Sequence, residues 1–185
     1  MKKIQLLMLL LLSAICIQSC KKDVTTSAST SSDKILSANI NGVAWNPDTV
    51  SAAITYNAAT KTKTFSVVGI ALQKQVSLSV VVPNGTNTTG FPFATFKVDT
   101  NAVKNNVFMV YSTQTLIGGD FTPAPGKVNG SVITTAIDSV KKVITGTYSF
   151  SVRQLSTDQS GNESITTQQI QSGSFTNLPY TFVAN

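Results

Sequence analysis

The stretch Val128–Arg153, VNGSVITTAIDSVKKVITGTYSFSVR, decides the fold. In its second half Ile144, Tyr148, Phe150 and Val152 alternate with Thr145, Thr147, Ser149 and Ser151, and Gly146 falls in the apolar register. A period of two puts successive side chains on opposite faces of a strand, one row in a core and the other in water. Asp138-Ser139-Val140-Lys141-Lys142 keeps charge at the turn that joins this strand to the one before it. The stretch therefore predicts a β-hairpin, and the remaining segments read as strands that pair with or pack on it.

Toward the N-terminus the same pattern recurs in short runs. Asn41-Gly42 separates Ile35–Ile40 from Val43–Trp45, and both turn residues accept the positive φ angles of a tight hairpin. Val50–Tyr56 is a strand, as is Thr64–Leu72, whose apolar residues on both faces predict a central position. Val76, Leu78, Val80 and Val82 alternate with Ser77, Ser79 and Val81. Phe91–Val98 and Val107–Tyr111 follow, and on the far side of the central hairpin come Ile165–Gln171 and Ser174–Val183. Pro83–Gly90, Gly118–Lys127 and Ser156–Glu163 read as loops. About ten short strands, with turn chemistry every 8 to 12 residues and no helical period, predict an all-β domain over residues 35–185, an antiparallel β-sandwich or a partly open barrel.

The N-terminus has a different composition. Lys2 and Lys3 precede the apolar run Ile4–Ile17, which is shorter than the roughly 20 residues of a membrane-spanning helix and fits a secretory signal peptide. Residues 1–19 are expected to be removed on export. Lys21–Lys34, rich in Ser and Thr, is expected to be a flexible tether, so that residues 20–34 link membrane and domain. The chain has two cysteines, Cys16 in the leader and Cys20, so the domain must be stable through its core without a disulfide.

Charge narrows the choice of function. The 14 basic residues less Lys2 and Lys3, set against 8 acidic ones, leave +4, scattered except for two Lys pairs. A nucleic-acid binder shows a basic stripe with interleaved aromatics, and this chain has none. There is no histidine, which removes Ser-His and Cys-His nucleophile pairs and histidine metal sites. A glycoside hydrolase would have to rely on two carboxylates among Asp120, Asp158 and Glu163 and the other turn acids, where carboxylates more often cap backbone amides. Asp158 and Glu163 share the loop TDQSGNE, which lacks the acid density of a calcium site. No enzyme activity, metal or cofactor is expected. The alternative chemistry is aromatic. Trp45, beside a turn, reads first as a core residue, yet with Tyr56, Tyr111 and Phe121 it is a candidate platform for a sugar ring. Tyr148, Phe150, Phe175, Tyr180 and Phe182 are assigned to the core.

Two resemblances add to this reading. Ile17-Gln18-Ser19-Cys20 resembles the lipobox of bacterial lipoproteins, which implies that Cys20 is acylated and holds the mature chain on a lipid bilayer. Ala38-x-Ile40-Asn41-Gly42-x-x-Trp45, Gly146-Thr147-Tyr148-x-Phe150 and Gly173-x-Phe175-x-x-Leu178-Pro179-Tyr180 together resemble a cell-envelope lipoprotein family of Bacteroidota, over most of residues 35–183. That resemblance implies an outer-membrane lipoprotein with an all-β domain and no assigned activity. It also implies O-glycosylation at Asp-Ser/Thr-aliphatic sites, which Asp48-Thr49-Val50 and Asp138-Ser139-Val140 match at Thr49 and Ser139. The expected function is a non-catalytic binding module for a glycan or an envelope protein. The alternatives are a structural accessory subunit of an envelope complex and a carboxylate hydrolase.

Overall fold

In the computed structural model, which describes residues 34–99, 101 and 105–185, the central hairpin is the spine of one of two β-sheets. Its strands run Lys127–Asp138 and Val143–Thr157. The turn is fixed by the Asp138 carboxylate, which accepts from the amides of Val140 at 3.0 Å and Lys141 at 2.9 Å. Ile144, Tyr148, Phe150 and Val152 are buried, while Thr147 and Ser149 face water, as the alternation requires. Gly146 belongs to the buried row because a methyl group there would collide with the Ile133 carbonyl and the Phe175 ring.

In chain order the strands are β1 (Leu36–Ile40), β2 (Val43–Trp45), β3 (Thr49–Asn57), β4 (Thr62–Ala71), β5 (Lys74–Val82), β6 (Thr95–Lys97), β7 (Val107–Thr113), β8 (Thr122–Pro123), β9 (Lys127–Asp138), β10 (Val143–Thr157), β11 (Glu163–Pro179) and β12 (Thr181–Ala184). The first sheet has the order β2-β1-β11-β10-β9-β6, and the second β12-β3-β4-β5-β7-β8. All pairings are antiparallel except that of β12 with β3. The sheets stay open at their edges, the architecture of a sandwich. Asn41 and Gly42 have φ angles of 52° and 84°, the positive values their turn was expected to need. β4 is interior to its sheet, as its two apolar faces predicted.

The core lies between the sheets. Phe65 of β4 meets Phe175 of β11 at a centroid distance of 5.6 Å and Phe91 at 5.5 Å, which ties both sheets and the connection after β5 together. Tyr148, Phe150, Phe175 and Tyr180 are buried and Phe182 packs against them, as assigned from sequence.

Four segments differ from expectation. Gly118–Lys127, read as a loop, holds the short strand β8, whose Thr122 and Pro123 pair with Thr113 and Ser112. Phe91–Val98 forms a strand only at Thr95–Lys97, because Phe91 leaves the strand path to plug the core. The C-terminal break expected near Ser172 is absorbed by a bulge with Ser172 at φ 49°, so β11 runs unbroken. The chain changes sheets later, at Tyr180, whose amide donates to the Lys142 carbonyl at 3.0 Å. Finally, the loop expected over Ser156–Glu163 is shorter. β10 and β11 pair out to Thr157 and Glu163, beyond the last β9 partner at Arg153 and the last β1 partner at Ile170. They form a projecting two-stranded ribbon.

Candidate functional site

The aromatic platform is not assembled. Trp45 is 2% exposed, and its indole N–H donates to the Ala71 carbonyl at 3.3 Å. It occupies the inward position of β2 and is core, the first of its two readings. Tyr111 is also buried, and desolvation raises its hydroxyl pKa. Tyr56 is half-buried and lies in the inward register of β3, opposite buried Lys63, while half-buried Phe121 precedes β8. A sugar cannot stack on Trp45 or Tyr111 while both are sealed between the sheets. Thr49, at the start of β3, and Ser139, in the β9–β10 turn, are both exposed. Cys20, the leader and the tether up to residue 33 lie outside the described residues.

The carboxylates serve the turns. At the ribbon tip Asp158 accepts from the amides of Ser160 and Asn162 at 2.8 Å each, and from the Asn162 side chain at 3.0 Å. The Asn162 side-chain bond, with the backbone bonds of the turn, holds its carboxyl below the ordinary carboxylate range. A general acid in glycoside hydrolysis needs the opposite shift. Asp138 is lowered by the Lys141 and Val140 amides and by the Lys141 charge. Asp120 and Glu163 are exposed, Asp120 before β8 and Glu163 opposite Thr157 in the ribbon. Among the described residues, no three His, Cys, Asp or Glu side chains gather where they could hold a metal ion.

Three features escaped the sequence reading. One is Lys63, which shares the inward row of β4 with Phe65 and Val67 and is buried with no acid paired to it among the described residues. Its ammonium group donates to the Thr88 carbonyl at 2.8 Å, the Thr88 hydroxyl at 3.0 Å and the Gly90 carbonyl at 2.8 Å. Burial lowers its pKa. With the Tyr180 hydroxyl, which donates to the Thr89 carbonyl at 2.8 Å, it pins the connection that carries Phe91. A Lys in an otherwise apolar register was the available signal.

The second feature is the outer face of the second sheet. Pairing aligns Ser51, Val68, Ser77 and Val110 in one row, with Ala53, Ser66, Ser79 and Phe108 in the next. Thr55, Thr64 and Val81 form a third row, and Thr49, Ile70 and Gln75 flank the first. None of these outward positions is ionisable. Phe108 is 51% exposed. The outer face of the first sheet differs, for there Lys97 lies opposite Ser131 and Lys127 opposite Arg153. The third feature is the ribbon, where Leu155 and Ile165 pair side by side and both are exposed.

No protein-family model matches the chain, and no curated protein and no solved structure is significantly similar to it.

Proposed function

We propose that this protein is a lipoprotein of the bacterial cell envelope, anchored through acylated Cys20 at the outer membrane, whose β-sandwich is a non-catalytic binding module for a glycan or an envelope protein. The observation that carries the binding reading is the division of the domain into a filled interior and broad, rigid outer faces. Phe65, Phe91 and Phe175 pack across the interior, so the side chains that are both accessible and held in fixed register stand on the strand faces. Sites on strands are held more rigidly than sites on loops. The Asp138 and Asp158 carboxylates are taken up by the amides of their own turns, which supports a binding role over a hydrolytic one. The lipobox-like Ile17-Gln18-Ser19-Cys20 supports the anchor, and the motifs shared with the Bacteroidota envelope family support the compartment. In this reading Thr49 and Ser139, both exposed, are the O-glycosylation sites.

The projecting ribbon supports a second reading, an accessory subunit that docks on an envelope complex through Leu155 and Ile165. One set of fractions tests anchor and partner together. Wild-type protein is expected in the outer-membrane fraction and the Cys20→Ala variant in the soluble envelope fraction. If Cys20→Ala stays in the membrane as firmly as wild type, the anchor is wrong. Crosslinking in intact cells, compared between wild type and Leu155→Ser, separates a docked subunit, whose adducts depend on Leu155, from a binder whose ligand lies elsewhere.

A further inference from the structure

We infer that the outer face of the second sheet is a binding site for a neutral, hydroxyl-rich polymer, a polysaccharide without acidic groups, with Phe108 as the stacking ring at its rim. The inference deepens the binding-module reading and rests on it.

Charge is the first argument. The chain carries a formal +6, yet no ionisable side chain stands in the outward rows of β3, β4, β5 and β7. Lys61 and Lys74 lie at opposite ends of β4, and Lys97, Lys127 and Arg153 stand on the other sheet. An anionic ligand would gain its Coulomb attraction on that other face. The second sheet gives an acidic ligand no such attraction, and an uncharged ligand loses nothing by binding there.

Chemistry narrows the class further. Ser51, Ser66, Ser77 and Ser79 present hydroxyls that both donate and accept, matching the hydroxyls of a sugar chain. Short side chains also lose little rotamer freedom when a ligand covers them. A shallow groove of about 470 Å³ opens at the edge of this face beside the free end of β3, where outward Ser51, Ser66 and Val68 meet core-facing Val50 and Ala52 and the Pro179–Thr181 connection. Two strand spacings from Ser66, roughly 10 Å away, Phe108 offers an exposed ring whose negative face suits the C–H side of a pyranose. A protein partner fits less well. Protein interfaces concentrate their energy in Trp, Tyr and Arg anchors, and the outward rows hold none. A self-association surface would be more apolar at its centre than these serine rows.

The test is affinity electrophoresis of the full-length protein through gels cast with neutral glucan, mannan or galactan, and with carboxylated or sulfated polymers in parallel. Retardation by a neutral polymer, unchanged between ~50 mM and ~500 mM salt, is the expected result. Phe108→Ala and Ser66→Lys should each weaken it by about tenfold, while Ser149→Lys on the first sheet should leave it intact. Circular dichroism of each variant checks that the fold persists. Retardation only by acidic polymers, lost at high salt and indifferent to Ser66→Lys, overturns the site and leaves the binding-module reading standing. No retardation by any polymer also overturns it. In that case a specific crosslinked partner in intact cells preserves the broader reading, and the lack of one removes both.

Discussion

The two outer faces are built from the same alphabet of Ser, Thr and small apolar residues, but they differ in where charge is allowed. On the first sheet Lys97, Lys127 and Arg153 stand among the hydroxyls, and on the second no ionisable residue does. Their inner faces, by contrast, are alike. Both are closely packed, and Phe65 and Phe175 meet between them. Packing therefore explains the inward rows apart from Lys63, whereas the outward rows are free of it and can differ without cost to the fold. A difference in the unconstrained rows is where a binding preference can be written.

The largest test of this division is the aromatic that sits inside it. Trp45→Ala should lower stability by about 3–5 kcal/mol, read as a fall in the urea midpoint, because Trp45 is buried and bridges to the Ala71 carbonyl. Next comes Lys63→Met. It leaves the Thr88 and Gly90 carbonyls without their donor, at a cost of about 1–3 kcal/mol, partly offset because an ammonium group no longer has to be buried. Proteolysis should then begin in the segment after β5, which Lys63 and Tyr180 hold down. Cleavage elsewhere first would show that the cage is not what secures it.

Much of this was legible in the chain. Alternation over Ile144–Val152 and Val76–Val82 located strands and their buried faces, because a period of two has one physical solution when one side must be dry. Asn41-Gly42 located a turn because few residue pairs tolerate its backbone. The sheet partners were not legible. Nothing local marks β12 as the parallel neighbour of β3, since that pairing depends on the chain changing sheets at Tyr180. The outward rows were hidden for the same reason. Ser66, Ser79 and Phe108 are distant in sequence, and only the register of three strands places them side by side. The aromatic platform does not form because a large aromatic contributes most when buried, and residue type alone does not reveal that Trp45 and Tyr111 face inward.

Alkaline pH probes the buried tyrosines of the inner faces. Burial raises the hydroxyl pKa of Tyr148 well above the ordinary value, and those of Tyr111 and Tyr180 also rise. Above about pH 10 the unfolded chain therefore releases protons that the folded chain keeps, so stability is intact below that pH and falls above it. Lys63 has the opposite sign. Its lowered pKa means that the unfolded chain holds the extra proton, and its unfavourable contribution fades as pH climbs toward about 10.4. Tyr148→Phe should cost about 0.5–1.5 kcal/mol at neutral pH, since the hydroxyl donates to the Ser37 carbonyl at 3.1 Å. It should also flatten the alkaline decline. An unchanged slope in urea titrations above pH 10 would show that Tyr148 does not drive it.

The smallest expected effect on stability is also the sharpest contrast. Phe108→Ala removes a ring as large as many in the core, yet half of it already faces water and its cross-strand partner is Ser79. The change should move stability by no more than about 0.5 kcal/mol, while retardation by a neutral polymer falls. Trp45→Ala should do the reverse, weakening binding only as far as it unfolds the domain. Comparing the two at matched folded fraction separates an aromatic that holds the sheets together from one that meets a ligand. If Phe108→Ala destabilises the domain as much as Trp45→Ala does, the outer face is part of the packing and the distinction between the two sheets disappears.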